Sequence, residues 1–297
     1  MIFNWQYLGD SKQSVRKFLQ QKGMSRTLLK KIKFYGGQLQ VAKMPVTVKT
    51  MLQPGQTLTV KLPPEPAQAP LTPSGTPLQI LWEDAHFLII DKPAQVASLP
   101  AHAHPLDSMA QRVLGYYQRQ GYTNQVIHLV TRLDRGTSGV MLFAKHAFAH
   151  TLLAQQLQTG RLKKNYLAIV RGHLASQHNR LTWPIKRAPH SFIKRTTAVG
   201  GRTALTEYWQ VSQLPTATLV RIHLHTGRTH QIRVHFATIG HPLLGDQLYA
   251  GPKVGGLSRP ALHCAQLKFY HPFLKRTLTI NSPLPTDLQQ LLRFETK

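Results

Sequence analysis

The stretch "LVTRLDRGTSGVMLFAKH", Leu129 to His146, joins a lone carboxylate to a long apolar run. Asp134 lies between Arg132 and Arg135, and two glycines follow before the apolar residues. The glycines predict a tight turn, and the apolar run predicts a buried strand. Two interpretations of the aspartate are open. It is either a surface ion pair, which composition alone favours, or a catalytic carboxylate that a guanidinium holds in its charged form.

The charge of the chain points to a polyanionic partner. Its 297 residues include 37 Lys and Arg against 11 Asp and Glu, a formal net charge of +26. An excess of this size favours binding to nucleic acid. The alternative is a generically basic protein. The sequence shows no long, basic amphipathic helix, so a role at a membrane surface is disfavoured.

Composition also bears on the compartment. Hydrophobic residues make up 42% of the chain, enough for a packed core. The single cysteine, Cys264, excludes a disulfide framework and a cysteine zinc cluster. The start "MIFNWQYLGD" has polar side chains where a signal peptide needs an apolar run, and no stretch approaches the ~18 apolar residues of a membrane span. We therefore expect a cytoplasmic protein without membrane contact, and a monomer by default.

A proline-rich segment divides the chain. Residues 62–77, "LPPEPAQAPLTPSGTP", contain six prolines, which disfavour both a helix and a central strand. We interpret them as a linker between a small unit, residues 1–61, and a large unit, residues 78–297. The small unit has eleven Lys and Arg and a single acid, Asp10, so its positive charge is the denser of the two.

The small unit has the pattern of an RNA-binding module. Two basic helices are predicted, and Ser25 is expected to cap the second. Alternating apolar residues, including Val46 and Val48, predict a short pair of strands after the second helix. Two basic helices over a small sheet resemble the S-four RNA-binding domain, named for a small-subunit ribosomal protein. Any small α+β module is the alternative. The resemblance implies RNA contacts from three cations of the second helix: Arg26, Lys30 and Lys31.

The large unit is predicted to be α+β. Consecutive strand patterns are often separated by short turns, as in "LQILWEDAHFLIID", which favours an antiparallel or mixed sheet over a doubly wound parallel one. Helices are predicted for "DSMAQRVLGYYQRQ", "HAFAHTLLAQQLQTG", "THQIRVHFATIG" and "PTDLQQLLRF". The expected fold is a mixed, largely antiparallel sheet with flanking helices, preceded by a small α+β RNA-binding domain.

The sequence lacks the motifs of several common chemistries. It contains no H-E-x-x-H zinc pattern, neither common phosphate-binding glycine loop, and no G-x-S-x-G serine elbow. Acids are too scarce to complete most metal sites. We therefore expect no metal and no nucleotide cofactor.

Five stretches resemble pseudouridine synthases of the ribosomal large-subunit type, the RluA/RluD family. "TRLDRGTSGVMLFAK" is similar to the R-L-D-x-x-T-S-G motif of that family. "IIDKPAQVASLP" resembles its K-P motif, and "LKKNYLAIVRG" its K-x-Y-x-A-x-V-x-G strand. "TGRTHQIRVHFATIGHPLLGDQLY" matches the longest signature nearly throughout, and "ALHCAQLKFYHP" resembles the segment that usually follows. The similarity extends from about residue 78 to residue 290.

The resemblance implies catalytic roles for three residues. Asp134 matches the catalytic aspartate. Tyr166 matches the tyrosine that stacks on the target base and is a candidate general base. Arg233 matches the arginine that pairs with the aspartate in the folded site.

Further residues of these motifs are expected to contact RNA. Arg132 matches an arginine that touches RNA near the flipped base, and the other expected contacts are Lys164, Arg228 and His230. Two positions depart from the family pattern. Thr131 stands where His or Asn is common, and Gln95 stands where glycine is usual, so the loop around Gln95 is expected to differ.

The implied activity is the isomerisation of specific uridines in structured RNA to pseudouridine. The resemblance to this family favours ribosomal RNA over transfer RNA as the substrate. The reaction changes no redox state and no phosphoryl group, so it requires no cofactor. The sequence leaves open whether Asp134 attacks the sugar or the base, or promotes elimination.

Two other functions compete with this one. A non-catalytic RNA-binding or ribosome-assembly factor would have the same charge, but it has no need of Asp134, Tyr166 and Arg233 together. A glycosidase for small sugars is disfavoured by the charge and by the missing second carboxylate.

Overall fold

The structure is a computed structural model that describes residues 1–66, 71–101 and 105–295. Residues 67–70, part of the predicted linker, lie outside the described residues. Within these ranges, no helix is long and apolar enough to cross a membrane.

The small unit is a four-stranded antiparallel sheet covered by two helices. Its sheet has the order β1-β6-β3-β4, and its apolar core includes Leu19 and Ile32. Ser14 and Ser25 cap the helices by accepting hydrogen bonds from backbone N–H groups. The elements are β1 (Ile2–Gln6), β2 (Gln13–Ser14), α1 (Val15–Gln21), α2 (Arg26–Phe34), β3 (Gln38–Val41), β4 (Met44–Pro45), β5 (Met51–Leu52) and β6 (Thr57–Lys61).

The predicted strand through Val46 and Val48 is wrong. Strand β4 ends at Pro45, and the chain then turns through residues 47–50. The N–H of Val46 still donates to the carbonyl of Leu39, but Val48 lies in the turn. Both valines pack against the core as loop residues, which produces the same apolar spacing as a strand.

The large unit is built on a ten-stranded sheet. Its elements are β7 (Gln79–Glu83), β8 (Phe87–Lys92), α3 (Met109–Arg119), β9 (His128–Leu129), β10 (Ser138–Ala144), α4 (Ala147–Gln158), β11 (Lys163–Arg171), β12 (His178–Leu181), β13 (Ile185–Arg187), β14 (Arg195–Thr197), β15 (Thr206–Gln213), β16 (Ala217–Leu224), α5 (Gln231–Thr238), a 3-10 helix (Gln247–Tyr249), β17 (Leu262–His271), β18 (Arg276–Asn281) and α6 (Thr286–Glu295). The sheet has the order β12-β15-β16-β11-β17-β10-β8-β7, with β18 beside β17 and β9 beside β10. The prediction of a mixed, largely antiparallel sheet with flanking helices is confirmed.

One parallel contact joins the two halves of this sheet. Strands β10 and β17 pair over two positions only, Ser138 with His263 and Gly139 with Cys264. Gly139 has a φ of +111°, and a Cβ there would lie 2.2 Å from the carbonyl oxygen of Cys264. Glycine is therefore required for the strands to approach this closely.

The described parts of the predicted linker contain no helix or strand, and Glu65 anchors the first part to the large unit. Glu65 accepts hydrogen bonds from the amide of Asn124 at 3.0 Å and from the backbone of Ala147 at 2.9 Å. Its other oxygen lies 2.7 Å from His128 Nε2. Burial opposes the charge of this carboxylate, but the hydrogen bonds prevail and lower its pKa.

Aromatic side chains bind the small unit to the large one. Phe3 of β1 packs between Phe148 of α4 and Phe273, with ring centroids 5.3 and 5.7 Å away. His86 stacks on Phe273 at 3.7 Å, and His86 Nδ1 lies 3.0 Å from His146 Nε2. The two units therefore share one aromatic cluster.

His146 is expected to make the protein sensitive to acid. Its Nδ1 accepts a hydrogen bond from Ala149 N–H and caps α4, so its neutral form presents Nε2–H to His86. Burial lowers the pKa of His146 from 6.5 to about 3. Between pH 6.5 and about pH 3, His146 is therefore protonated in the unfolded chain but neutral in the folded one. The free energy of unfolding falls as the pH decreases through that range.

We expect His146→Asn to lose less stability on acidification than the parent protein, because asparagine still caps the helix but cannot titrate. Between pH 7 and pH 5 the difference should be roughly 2 kcal/mol, at about 1.4 kcal/mol for each unit between the folded and unfolded pKa. Urea unfolding at both pH values measures it. The exposed His190, substituted by Asn, is the control. Equal losses in all three proteins would contradict the prediction.

Candidate active site

The turn that carries Asp134 is fixed from both sides. The N–H of Thr137 donates to the carbonyl of Asp134, which closes the turn. The hydroxyl of the buried Ser98 donates to the carbonyl of Leu133 at 2.6 Å and accepts from its N–H at 3.1 Å. The backbone before the aspartate is thus held without any contact to the carboxylate itself, whose side chain is 29% exposed.

Lys92 of the K-P stretch pins the same turn. Its ammonium is fully buried and donates to the carbonyls of Pro93, Val96 and Arg135, at 2.8, 2.6 and 3.1 Å. Burial lowers the pKa of Lys92 to about 7, and the charge of Asp134 acts in the opposite direction. The sequence indicated a motif here, but not that its lysine holds the backbone beside the aspartate.

The loop around Gln95 keeps the shape of a glycine loop. Gln95 has a φ of +65°, in the left-handed region that glycine adopts easily. Its carbonyl accepts from Arg135 Nε at 3.1 Å, so that arginine is directed to the loop. Gln95 therefore adopts a left-handed backbone conformation that glycine adopts more easily, which accounts for glycine being usual at this position of the motif.

Arg233 reaches Asp134 from α5, but its tightest partner is a different carboxylate. Its Nε and Nη2 bind Asp246 at 2.6 and 2.7 Å, whereas Nη1 lies 3.8 Å from Asp134 Oδ2. Burial opposes the charge of the guanidinium, but Asp246, followed by Asp134, raises its pKa. Asp246 was missed in the sequence, although it is one of only eleven acids and lies in the longest signature.

Tyr166 is placed in the site by an irregularity in the sheet. The pairing of β11 with β17 shifts between Asn165 and Leu167, so that Tyr166 faces a bulge in β17 at Cys264. The tyrosine is buried. Burial raises its pKa well above the ordinary value, so the phenol is protonated at neutral pH. Lys164 lies over its ring at 5.7 Å.

Several side chains of the site line one cavity of about 340 Å³. Seven of the ten predicted site residues are among its walls: Asp134, Tyr166, Arg233, Arg132, Lys164, Arg228 and His230. The other three, Arg26, Lys30 and Lys31, lie exposed on α2 of the small unit. The cavity therefore combines one partly exposed carboxylate, a buried aromatic ring and several cations. This is a suitable arrangement for a single nucleotide of an RNA.

The fold defines the class of protein. Among solved structures, human RNA pseudouridylate synthase domain containing 4 aligns with a TM-score of 0.61 at 23% identity, covering 72% of this chain and 92% of that one. The architecture is that of the pseudouridine synthases.

The chain belongs to the RNA pseudouridylate synthase family, whose model matches residues 86–238. It is 42% identical over 282 residues to the RNA pseudouridine synthase YjbO of Bacillus subtilis (strain 168), covering 95% of this chain and 99% of that protein. It is 36% identical to ribosomal large subunit pseudouridine synthase D of Xanthomonas campestris pv. campestris, covering 81% of this chain and 76% of that one. The chain is accordingly an RNA pseudouridine synthase, an isomerase, as the resemblance in its motifs implied.

We expect Asp246→Asn to lower both stability and turnover. The substitution leaves the buried guanidinium of Arg233 without its charged partner, which costs up to about 3–5 kcal/mol. Arg233 is then no longer aimed at Asp134, so the single-turnover rate should fall while RNA affinity changes little. Urea unfolding and single-turnover assays with saturating enzyme measure the two effects.

Asp107→Asn is the matched control for this variant. Asp107 also binds an arginine, Arg112, through two nitrogens, but its side chain is 44% exposed and lies outside the cavity. It should cost no more than about 1 kcal/mol and leave turnover unchanged. A normal single-turnover rate in Asp246→Asn would show that Arg233 needs no such support.

Proposed function

We propose that this enzyme isomerises uridines of ribosomal RNA in the cytoplasm, with Asp134 as the catalytic carboxylate. One observation carries the proposal: Asp134 is partly open to a cavity, and a buried, anchored arginine lies 3.8 Å from one of its oxygens. The name of the Xanthomonas relative, a ribosomal large subunit pseudouridine synthase, supports ribosomal RNA as the substrate.

Binding begins with the removal of a uridine from its stack. Unstacking costs roughly a few kcal/mol, and stacking on an aromatic ring returns about 1–3 kcal/mol per base. In this proposal Tyr166 supplies the ring at the wall of the cavity. Arg132, Lys164 and Arg228 contact the phosphates or the neighbouring nucleotides, and Arg132 is the most exposed of these.

The reaction then exchanges one bond of C1′ for another. The N1–C1′ bond breaks, the base turns, and a C5–C1′ bond forms, while the hydrogen of C5 is lost and N1 gains one. Asp134 acts on the sugar or the base, and the neighbouring Arg233 needs no reorganisation during the reaction because Asp246 already holds it. A general-base role for Tyr166 stays a prediction: its phenol is protonated, so it must first pass on its own hydrogen.

The small unit is proposed as a second RNA-binding site, an S-four-like domain spanning residues 1–61. Its helix α2 exposes Arg26, Lys30 and Lys31, and its helix caps and small antiparallel sheet fit that type of module. Phosphate contacts from such cations provide affinity without sequence readout. The enzyme is proposed to act as a monomer.

We expect Asp134→Asn to abolish pseudouridine formation while leaving RNA binding largely intact, because the carboxylate is the reacting group and forms only a small part of the RNA-binding surface. Pseudouridines mapped in ribosomal and transfer RNA, from cells with and without the gene, identify the target. A transcript spanning that uridine then serves for binding and turnover. Asp10→Asn, at an exposed acid of the small unit, is the control. Product formation by Asp134→Asn would refute the catalytic role, and an unchanged RNA map would favour a non-catalytic factor.

We expect the combined substitution of Arg26, Lys30 and Lys31 by Gln to weaken RNA binding and reduce its salt dependence. The slope of log K against log salt should become shallower by about 0.7–0.9 for each phosphate that the variant no longer neutralises. Filter binding over a range of salt concentrations measures it.

Its control removes the same charge elsewhere, at the exposed Lys268, Lys275 and Arg276. Equal losses of affinity in both triple variants would mean that only net charge matters. The single-turnover rate at saturating enzyme should be normal in both.

A further inference from the structure

His230 holds an unusual backbone conformation beside the cavity. It precedes α5 in the left-handed region, with φ of 58° and ψ of 18°, which residues other than glycine seldom adopt. Its side chain makes no capping hydrogen bond to the helix. The conformation instead directs the imidazole between two side chains of the site, Tyr249 and Asp134.

Tyr249 fixes the position of the imidazole hydrogen. Its buried hydroxyl accepts from the backbone N–H of Arg195 at 2.9 Å and lies 2.9 Å from His230 Nδ1. Among the described residues, Nδ1 is the acceptor at hydrogen-bond distance for the phenol hydrogen. If His230 donated from Nδ1 instead, the Tyr249 oxygen would accept two hydrogen bonds, from His230 and from Arg195. The phenol hydrogen of Tyr249 would then be buried without an acceptor, which is costly. Nδ1 is therefore the acceptor, and the neutral ring carries its hydrogen on Nε2.

The Nε2–H group faces the same carboxylate oxygen as Arg233. His230 Nε2 lies 3.9 Å from Asp134 Oδ2, and Arg233 Nη1 lies 3.8 Å from that same atom. Oδ2 is thus the carboxylate oxygen nearest to both groups. Hydrogen bonds of active sites are often long without substrate and shorten in the complex. Burial lowers the pKa of His230 while Asp134 opposes it, which agrees with a neutral ring at pH 7.

We propose that His230 is a positioning residue for the reaction: Tyr249 sets its Nε2–H tautomer, and together with Arg233 it holds Asp134 Oδ2 and so fixes the orientation of the carboxylate. The inference rests on the proposed role of Asp134. It replaces the expected RNA contact of His230, because the side chain is only 11% exposed and both ring nitrogens face protein groups. It also gives a function to Tyr249, which the motifs did not single out.

Two substitutions of His230 separate this role from a structural one. Asn tolerates the left-handed conformation and places its amide near Nδ1, where it meets Tyr249, but it has no donor toward Asp134. Gln places its amide near Nε2 and restores that donor. We expect His230→Asn to lower the single-turnover rate roughly tenfold to a hundredfold, less than the loss of a tight oxyanion donor because the contact is long. His230→Gln should recover most of the rate, with RNA affinity unchanged in both.

The experiment uses the full chain and the transcript identified for the enzyme, with single-turnover rates at saturating enzyme and filter binding measured in parallel. Tyr249→Phe is the third variant: without the hydroxyl the ring is free to take the other tautomer, so its rate should fall by a smaller factor. A wild-type rate in His230→Asn overturns the proposal, as does an equal loss of rate in His230→Gln. Weaker RNA binding at a normal rate overturns it in favour of an RNA contact. Product formation by Asp134→Asn would instead refute the proposed function, so the two failures are distinguishable.

Discussion

The active site depends on the close approach of two backbones at Gly139 and Cys264. These positions form half of the short parallel ladder that joins the two parts of the large sheet. The turn with Asp134 leads into β10 on one side, and Tyr166 faces the bulge at Cys264 on the other. Because a Cβ at Gly139 would collide with the carbonyl of Cys264, any other residue would separate the strands and with them the carboxylate and the aromatic ring. The glycine of the R-L-D-x-x-T-S-G stretch is thus a requirement of the sheet, and the site follows from it.

Near that close approach, the buried Asp246 and the partly exposed Asp134 share one arginine. Asp246 binds Arg233 with both oxygens, which leaves one guanidinium nitrogen for Asp134. A buried ion pair contributes little net stability, since the desolvation of two charges offsets most of their attraction. It does fix geometry, and a fixed cation beside a reacting carboxylate needs no rearrangement during the reaction. In the proposed mechanism the basic surface attracts the RNA, while these two carboxylates organise the chemistry.

Much of this could be predicted from the sequence, and the exceptions have physical reasons. The helix start at Ser25 could be predicted because capping is local, and the gathering of Asp134, Tyr166 and Arg233 in one cavity could be expected because their motifs resemble a known family. Asp246 was missed because its contact with Arg233 is visible only in three dimensions. The hairpin of β13 and β14 was missed because its three-residue strands are too short to show periodicity. Val48 was misplaced because a loop residue packed on a core has the same apolar signature as a strand.

The anchoring of Glu65 has a consequence for the geometry of any substrate. This residue follows the last strand of the small unit, and it binds His128 of β9, a few residues before Asp134, as well as the start of α4. Together with the aromatic cluster around Phe3, it holds α2 and the cavity at a set separation. The two proposed RNA-contact sites, α2 and the cavity, therefore lie at a fixed distance from each other. In the proposed binding mode, an RNA bound by α2 has to present its uridine at a fixed distance from that contact, so the choice of target includes a distance as well as a local sequence.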